Sequence, residues 1–387
     1  MAKAKAGGSK AAEANSKLSS RIKERDARTL GKIVDMADAI ATRALSGKEP
    51  SMEIPTRAKS NTIWNKKRGI LEMGDATADR MLFNLNQAKQ FMQTCLHGNS
   101  VRELIAAEKT LSLRGMFYKG LHTVQGTGGE KTFGDQDESD GILEDLEVSL
   151  TSLREELHIY AKKRGTMVGN ITIIDNGDEI DCRRMGSGGY AIPGIVEPDV
   201  IQFKKCDAKF VLHVEKDTVW GRFNEDRFWE EHNCILTEGS GQPTRGVRRL
   251  LRRLNQELGL PVICLLDCDP WGHYIYSVIK QGSISLAFES ERLAIPDAKF
   301  LGIRSKDYKA CELSDDVKIE LTDTDIKRAR EILAYPWFAG DKAWQREIEG
   351  MLDNGFKMEV ESLITKDISY VTEEYVPQRL KAKDWLE

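Results

Sequence analysis

The sequence has few cysteines, and none of them forms a pair at the spacing of a metal site. Seven cysteines are scattered through 387 residues without a C-x-x-C motif. A dispersed, odd number of thiols argues against a disulfide-stabilised secreted domain and favours a reducing compartment. No apolar run approaches the roughly 18 residues of a membrane-spanning helix, and the first residues lack the apolar segment of a signal peptide. We therefore expect a cytoplasmic protein with no membrane partner.

A nucleotide-binding loop is also missing. Residues 126–132, GTGGEKT, resemble a phosphate-binding loop, but Glu130 stands where a glycine must precede the lysine. A carboxylate at this position would repel phosphate. Residues 186–194, GSGGYAIPG, do not give G-x-G-x-x-G and open no obvious helix. The sequence thus contains no nucleotide-binding signature.

Two short apolar segments end in acidic residues. PVICLL is followed by Asp267 and Asp269 in a D-x-D motif, and KFVLHV is followed by Glu215. Because ligands bind at the carboxyl ends of parallel strands, we expect these three acids to converge. Carboxylate oxygens suit Mg²⁺, which is bound by a few such groups together with substrate phosphates. The alternative is that one aspartate caps the following helix and that an acid pairs with Lys216 or a nearby arginine.

Basic residues are unevenly distributed, although the net charge is only −4. Residues 1–80 carry seven more basic than acidic side chains. Further along the chain, GSGQPTRGVRRLLRRL at 239–254 predicts an amphipathic helix with arginines on one face. These are Arg245, Arg248, Arg249, Arg252 and Arg253. Guanidinium groups bind phosphates bidentately, so a phosphodiester backbone is the expected partner, and a merely solvated basic face is the alternative.

A possible nucleophile lies in the segment RGMFY. Arg114 and Tyr118 are four residues apart and therefore share one helix face. A phenolate oxygen can attack a phosphodiester, and a neighbouring arginine stabilises the negative charge that develops. The alternative is a half-buried tyrosine whose hydroxyl reaches the surface. The spacing alone leaves both interpretations open.

The periodicity of the chain changes near residue 166. Residues 1–20 predict a basic disordered tail, residues 21–70 an N-terminal extension, and residues 71–165 short successive helices typical of a winged-helix module. From residue 166 to 387, strands alternate with helices, which predicts a mixed α/β fold. Helices are expected at 21–48, 78–97, 101–109, 111–119 and 140–162, and strands at 168–174, 209–215, 233–237, 261–266 and 297–302.

Several stretches, taken together and in order, resemble one family. They are RGMFY at 114–118, DNGDEIDCRRMGSGGYAIPG at 175–194, HVEKDTVWGRFNEDRFW at 213–229, GQPTRGVRRLLRRL at 241–254, DCDPWGHYIYSVIK at 267–280 and EEYVPQRLKAKDWLE at 373–387. From about residue 55 to its end, the chain resembles the topoisomerase VI A-subunit family. More distantly it is similar to the meiotic double-strand-break transesterase. The resemblance implies a winged-helix (CAP-like) domain followed by a Toprim domain.

The resemblance also implies roles for individual residues. Tyr118 would be the nucleophile with Arg114 beside it, and Glu215, Asp267 and Asp269 would hold Mg²⁺. The activity would be that of a type IIB DNA topoisomerase, which cleaves and rejoins both strands of duplex DNA through a 5′-phosphotyrosyl intermediate.

One position departs from the family pattern. Gly115 stands where the family often carries an acid directly after the arginine. Any local pairing that such an acid supplies would be missing here, whereas the assignment of the nucleophile would be unaffected.

The resemblance further implies an assembly. A homodimer is needed because each protomer supplies one tyrosine for one of two strands, and each site would combine the tyrosine of one protomer with the metal of the other. A GHKL-type ATPase B subunit would complete a nucleoid-associated heterotetramer of two A and two B chains. The alternatives are a break-former that does not reseal DNA, a non-catalytic DNA-binding relative, and a Toprim primase or nuclease.

Overall fold

The chain folds into two compact units, which are described separately. The computed structural model describes the backbone of residues 2–387 and the side chains of Ser20 and residues 22–387. Unit 1 comprises residues 1–57 and 74–162, and unit 2 comprises residues 58–73 and 163–387. Within the described residues, no helix combines the length and apolar character needed to cross a membrane.

The α-helices are, in chain order, α1 (Ala2–Leu45), α2 (Ala88–Ala106), α3 (Leu113–Gly120), α4 (Gln136–Ser149), α5 (Asp217–Glu225), α6 (Phe228–Glu231), α7 (Arg245–Leu258), α8 (Pro270–Lys280), α9 (Ser290–Leu293), α10 (Asp307–Ala310), α11 (Asp323–Leu333), α12 (Pro336–Ala339), α13 (Lys342–Asn354) and α14 (Val376–Ala382).

The strands are, in chain order, β1 (Ser51–Pro55), β2 (Thr62–Asn65), β3 (Ile70–Met73), β4 (Thr77–Met81), β5 (Leu111–Ser112), β6 (Ile159–Tyr160), β7 (Thr166–Gly169), β8 (Ile171–Asp175), β9 (Asp178–Asp181), β10 (Tyr190–Ala191), β11 (Ile201–Cys206), β12 (Val211–Val214), β13 (Ile235–Glu238), β14 (Val262–Leu265), β15 (Lys299–Phe300), β16 (Ile319–Glu320) and β17 (Phe356–Lys357).

Unit 1 is built mainly from helices. Apolar side chains of α1, α2, α3 and α4 share one core, which includes Ile33, Val101, Met116 and Leu146. Strands β1 and β4 pair antiparallel, and β5 and β6 form a short parallel pair. The Ser112 hydroxyl accepts a hydrogen bond from the Gly115 backbone N–H and so fixes the start of α3.

Three segments of unit 1 differ from the sequence predictions. The backbone helix α1 continues back to Ala2, in place of the predicted disordered tail, because alanine and lysine dominate this segment and favour helix. Helix α2 runs without a break through Asn99, whose side chain bonds Glu103 instead of capping a new helix. Residues 77–81, which belong in part to a predicted helix, form β4 and pair with β1.

Unit 2 contains a six-stranded sheet in the order β10-β7-β13-β12-β14-β15. Strands β13, β12, β14 and β15 run parallel, whereas β7 and β10 are antiparallel additions. Every residue of β12 and β14, in the middle of the sheet, is buried. The predicted mixed α/β fold and its four predicted strands from 209 to 302 are therefore confirmed.

A second sheet in unit 2 is absent from the sequence predictions. Strands β11, β8 and β9 form a three-stranded antiparallel sheet. The single strand expected at 168–174 is divided into β7 and β8 after Gly169, which has a positive φ of 139°. A Cβ atom at this position would lie 2.4 Å from the Cys234 carbonyl oxygen. Gly169 therefore allows the two neighbouring backbones to approach closely.

Candidate active site

The parallel strands β12 and β14 bring the predicted metal ligands to one edge of the sheet. Val214 and Leu265, the last residues of the two strands, are register partners. Glu215 follows β12 directly and Asp267 lies two residues after β14, and the Asp267 backbone N–H donates to the Glu215 carboxylate at 3.3 Å. The structure thus brings the acids together where the sequence predicts.

The D-x-D motif is held in place by backbone hydrogen bonds. The Asp269 carboxylate caps α8 by accepting from the Gly272 N–H at 2.5 Å. Gly272 is required here, because a Cβ atom would lie 2.5 Å from the Asp267 carbonyl oxygen. Cys268 exchanges two backbone hydrogen bonds with Met358, at 2.9 and 3.1 Å. This pairing fixes a distant part of the chain over the motif.

The three carboxyl groups destabilise one another's charged forms. Burial, together with the charges of Asp267 and Asp269, raises the pKa of Glu215 to about 8. Burial raises the pKa of Asp267 to about 6 and also raises the pKa of Asp269. A cation that binds among desolvated carboxylates relieves this repulsion and favours their ionised forms. A magnesium ion, a hard cation that prefers oxygen ligands, fits this set of donors.

A lysine provides part of this neutralisation. The Lys216 ammonium lies 2.9 Å from Asp267 Oδ2, 3.1 Å from Glu359 and 3.3 Å from Glu361. In the arrangement of side chains that the structure describes, no group of three or more histidines, cysteines or acids is ready to hold a metal ion. The capping role of Asp269 and the pairing with Lys216, both considered as alternatives above, are thus present.

Tyr118 has a different environment in unit 1. It lies on α3 with 57% of its side chain exposed. The exposed Arg114 guanidinium lies 5.8 Å from the centre of the Tyr118 ring, and the Phe117 ring centre lies 5.2 Å from it. The predicted shared helix face is therefore present, and the phenol is accessible to a large substrate.

The structure also accounts for Gly115. A Cβ atom at this position would lie 2.6 and 2.7 Å from the Leu111 side chain. Leu111 packs against the core of unit 1 and occupies the space that a larger residue at 115 would need. The departure from the family pattern is thus matched by local packing.

The five arginines of α7 do not form an exposed basic face, and DNA binding by them stays a prediction. Arg248 and Arg253 are buried, and burial lowers the pKa of Arg248 to about 10. Three of the five arginines form ion pairs: Arg245 with Glu289 at 2.5 Å, Arg249 with Glu197 at 2.8 Å and Arg253 with Glu257 at 2.6 Å. Arg252 is partly buried, and burial lowers its pKa. Glu197 and Glu289 are distant in sequence, so the helical pattern alone could not reveal that these guanidinium groups are already bound.

Sequence reasoning also missed Glu359 and Glu361. They lie in the segment that Met358 pairs with the D-x-D motif, and the Val360 N–H donates to Asp267 Oδ1 at 2.8 Å. The only sequence signal is an i, i+2 pair of acids that begins 90 residues beyond the motif. Such pairs are common on protein surfaces, so this signal does not single them out.

Comparison with known protein families assigns these regions. Residues 210–380 match the Toprim domain of Spo11 and the topoisomerase 6 A subunit, and residues 89–159 match a type IIB DNA topoisomerase model. Residues 163–207 match the all-β domain of the DNA topoisomerase VI alpha subunit. The Toprim match thus begins after the residue expected from the sequence, because an all-β segment precedes it.

Individual relatives match almost the whole chain. The A subunit of type 2 DNA topoisomerase 6 from Pyrococcus horikoshii is 42% identical, with 92% of this chain and 94% of that protein covered. The corresponding protein of Sulfurisphaera tokodaii is 40% identical, with 97% and 99% covered. The A3 subunit of DNA topoisomerase 6 from rice (Oryza sativa subsp. indica) is 35% identical, with 90% and 76% covered.

Unit 2 contains an α/β sheet with acids at its carboxyl edge, and unit 1 carries an exposed tyrosine. With the matching family models, these features place the chain in the class of type IIB DNA topoisomerases. Within this class, the chain belongs to the topoisomerase VI A-subunit family. The resemblance found in the sequence is therefore confirmed.

Proposed function

We propose that this protein cleaves and rejoins both strands of duplex DNA as the A subunit of an ATP-dependent topoisomerase. The convergence of Glu215, Asp267 and Asp269 at one strand edge carries this proposal, because the repulsion among their charges is unfavourable for the fold and is relieved when a cation binds. Residues 71–165 would act as a winged-helix domain that presents Tyr118, and the Toprim domain would act on the scissile phosphate.

The chemistry is a transesterification. The Tyr118 oxygen attacks the phosphorus, the bond from phosphorus to the 3′ oxygen breaks, and the proton lost by the phenol is replaced on the 3′ oxygen through solvent. The products are a 5′-phosphotyrosyl link and a free 3′-hydroxyl. Arg114 stabilises negative charge near the tyrosine. Because one phosphodiester bond replaces another, the reverse reaction reseals the strand without an external energy source.

Glu215, Asp267 and Asp269 would hold Mg²⁺. When bound, the ion supplies positive charge that orients the scissile phosphate and stabilises its transition state. The protein's own contribution is to hold the carboxylates in place: Asp269 by its helix cap and Asp267 by the Val360 N–H.

Strand passage requires partners. A duplex has two strands and each protomer has one Tyr118, so the working form would be a homodimer. An opening and closing cycle must be driven by a ligand that favours one state. The sequence predicts no ATP site on this chain, and an ATPase B subunit of the GHKL type would therefore complete a heterotetramer of two A and two B chains.

The proposal is tested by supercoil relaxation. We expect the purified chain with its ATPase partner to relax supercoiled plasmid in the presence of Mg²⁺ and ATP, and the chain alone to show no ATP turnover. Relaxation by the chain without a partner would contradict the division of labour. Double-strand breaks without relaxation, in the presence of partner and ATP, would instead identify a break-former.

A further inference from the structure

We propose that Lys216 is a displaceable counter-ion of the metal site. Its ammonium group is bound to Asp267 Oδ2 and leaves this oxygen when a divalent cation binds. The inference rests on the proposed function in so far as the cation binds at Glu215, Asp267 and Asp269. It makes Lys216 a positioning residue that competes directly with the metal for one ligand atom.

The two oxygens of Asp267 have different partners. Oδ1 accepts from the Val360 N–H at 2.8 Å, and this segment is fixed by the backbone pairing of Met358 with Cys268. Oδ2 is bound by the Lys216 ammonium at 2.9 Å. Because a backbone bond fixes Oδ1, Oδ2 is the oxygen that can exchange its partner for a metal ion.

Burial of Asp267 makes a cation beside its carboxylate strongly favourable. Only 5% of the Asp267 side chain is exposed, whereas 26% of the Lys216 side chain is exposed. A buried carboxylate without a partner is costly, and removal of the cation beside it would leave an uncompensated charge. Either the ammonium or a divalent ion therefore stabilises the ionised form of Asp267, and the two cations repel each other when both contact Oδ2.

Two further acids give the displaced ammonium a place to remain. Glu359 and Glu361 lie 3.1 and 3.3 Å from Lys216 Nζ, and neither belongs to the predicted metal set. The Thr218 hydroxyl donates to the other oxygen of Glu361 at 2.8 Å and holds this carboxylate in place. Lys216 can thus release Asp267 and keep two ionic partners, so the exchange leaves neither charge stranded.

Two alternative roles of Lys216 lead to different predictions from displacement. In the first it forms a permanent structural ion pair, and in the second its charge acts on the acids only from a distance. If Lys216 never leaves Asp267, its removal should deprive the site of support and weaken metal binding. If its charge acts only at a distance, another lysine near the acids should have the same influence. Lys357 is the matched case, because it bonds Asp325 at 2.9 Å and its charge partly offsets the burial that raises the pKa of Asp269. Its ammonium is held by Asp325 and not by Asp267.

The test is calorimetric titration of the full chain with Mg²⁺, without DNA or a partner subunit. We expect Lys216→Met and Lys216→Gln to bind Mg²⁺ about tenfold more tightly than the wild type, since a competitor is removed. Lys216→Arg, which keeps a cation on Asp267, should not gain affinity. Lys357→Met should gain less than about twofold.

The outcomes separate this inference from the proposed function. Weaker or unchanged Mg²⁺ binding by both Lys216→Met and Lys216→Gln would overturn the displacement, as would an equal gain in Lys357→Met. Melting curves of each variant establish that the fold is kept, and the glutamine variant retains a polar side chain if methionine is not tolerated. If the wild type and Asp267→Ala bind Mg²⁺ equally, the metal site itself is wrong and the proposed function fails with it.

Discussion

The tyrosine region and the acid region of this protein are built in opposite ways. Tyr118 and Arg114 are exposed on a helix of eight residues, and the Arg114 guanidinium group lies 5.8 Å from the centre of the Tyr118 ring. Asp267 and Asp269 are largely buried and are bound by backbone N–H groups of Val360 and Gly272. One region is accessible and lightly held, and the other is enclosed and tightly held.

The difference fits the roles proposed for the two groups. A nucleophile that forms a covalent bond with duplex DNA has to be reached by a large substrate and must then travel with the cleaved end. Acids that repel one another require a rigid frame, because their unfavourable charges are tolerated only while the surrounding hydrogen bonds persist. Substitutions in the first region should therefore affect chemistry alone, whereas substitutions in the second should affect both chemistry and stability.

The largest effect is expected from Tyr118→Phe. Only the attacking oxygen is lost, and the exposed ring can stay where it is, so covalent protein–DNA adducts should fall to background while the melting temperature is unchanged. The measurement is adduct trapping by denaturant with labelled DNA. Tyr160→Phe, another exposed tyrosine of unit 1, is the control. Adducts that persist in Tyr118→Phe would show that another residue is the nucleophile.

Asp267→Asn should have the next largest effect on cleavage. Metal-assisted stabilisation of charge is worth several kcal/mol, so cleavage should fall by roughly 10³-fold, and chelation of Mg²⁺ should have a similar effect. Unlike Tyr118→Phe, this variant should also change the melting temperature, because Lys216 loses its closest partner. Asp297→Asn, at an exposed acid of the same unit, should change neither cleavage nor the melting temperature. Full cleavage in a chelator would refute the metal's role.

Arg114→Gln should produce an intermediate loss. The guanidinium is exposed, so its stabilisation of developing charge is partly screened, and cleavage should drop by about 10- to 100-fold. The effect should fall on the rate of adduct formation at saturating DNA. Arg102→Gln, at an exposed arginine on α2, provides the matched control. Equal losses in the two variants would mean that Arg114 serves only general DNA affinity.

The sequence predicts the acid region better than its surroundings. Strand ends are visible as apolar segments that stop at Glu215 and Asp267, and parallel pairing makes such ends meet, so the convergence can be inferred. The contribution of Glu359 and Glu361 cannot, because their position depends on the backbone pairing of Met358 with Cys268, more than 80 residues apart.

For the arginines of α7, the sequence predicts which side chains share a face but not their surroundings. A helical pattern reveals which side chains share a face, but it does not reveal what covers that face. Glu197 and Glu289 reach Arg249 and Arg245 from separate segments, and these contacts exist only in the folded chain. Similarly, a polar residue such as Asn99 predicts a helix boundary that tertiary packing of α2 overrides.

The smallest effect concerns stability in the acid region. His273 is fully buried between the rings of Phe300 and Trp344, at centre distances of 5.1 and 5.5 Å. Among the described residues, neither of its ring nitrogens finds a hydrogen-bond partner. A phenyl ring of similar shape would remove this cost, so His273→Phe should stabilise the protein by about 1–2 kcal/mol at neutral pH.

The same variant should alter the pH dependence. Burial lowers the pKa of His273 from 6.5 to about 4. The unfolded chain therefore binds this proton first, and the wild type loses stability as pH falls from 6.5 towards 4. His273→Phe should lose less stability than the wild type over this interval in denaturant melts. A His273→Phe curve parallel to the wild type would contradict the assignment.

The most direct test asks whether the two regions of different protomers form one catalytic centre. We expect a heterodimer of a Tyr118→Phe protomer and an Asp267→Asn protomer to retain one intact site and to nick one strand. A heterodimer that pairs a wild-type protomer with one carrying both substitutions should have no intact site and should leave DNA uncut. Nicking by the second heterodimer and none by the first would place the tyrosine and the acids of a single protomer in the same site, and would contradict a centre shared between protomers.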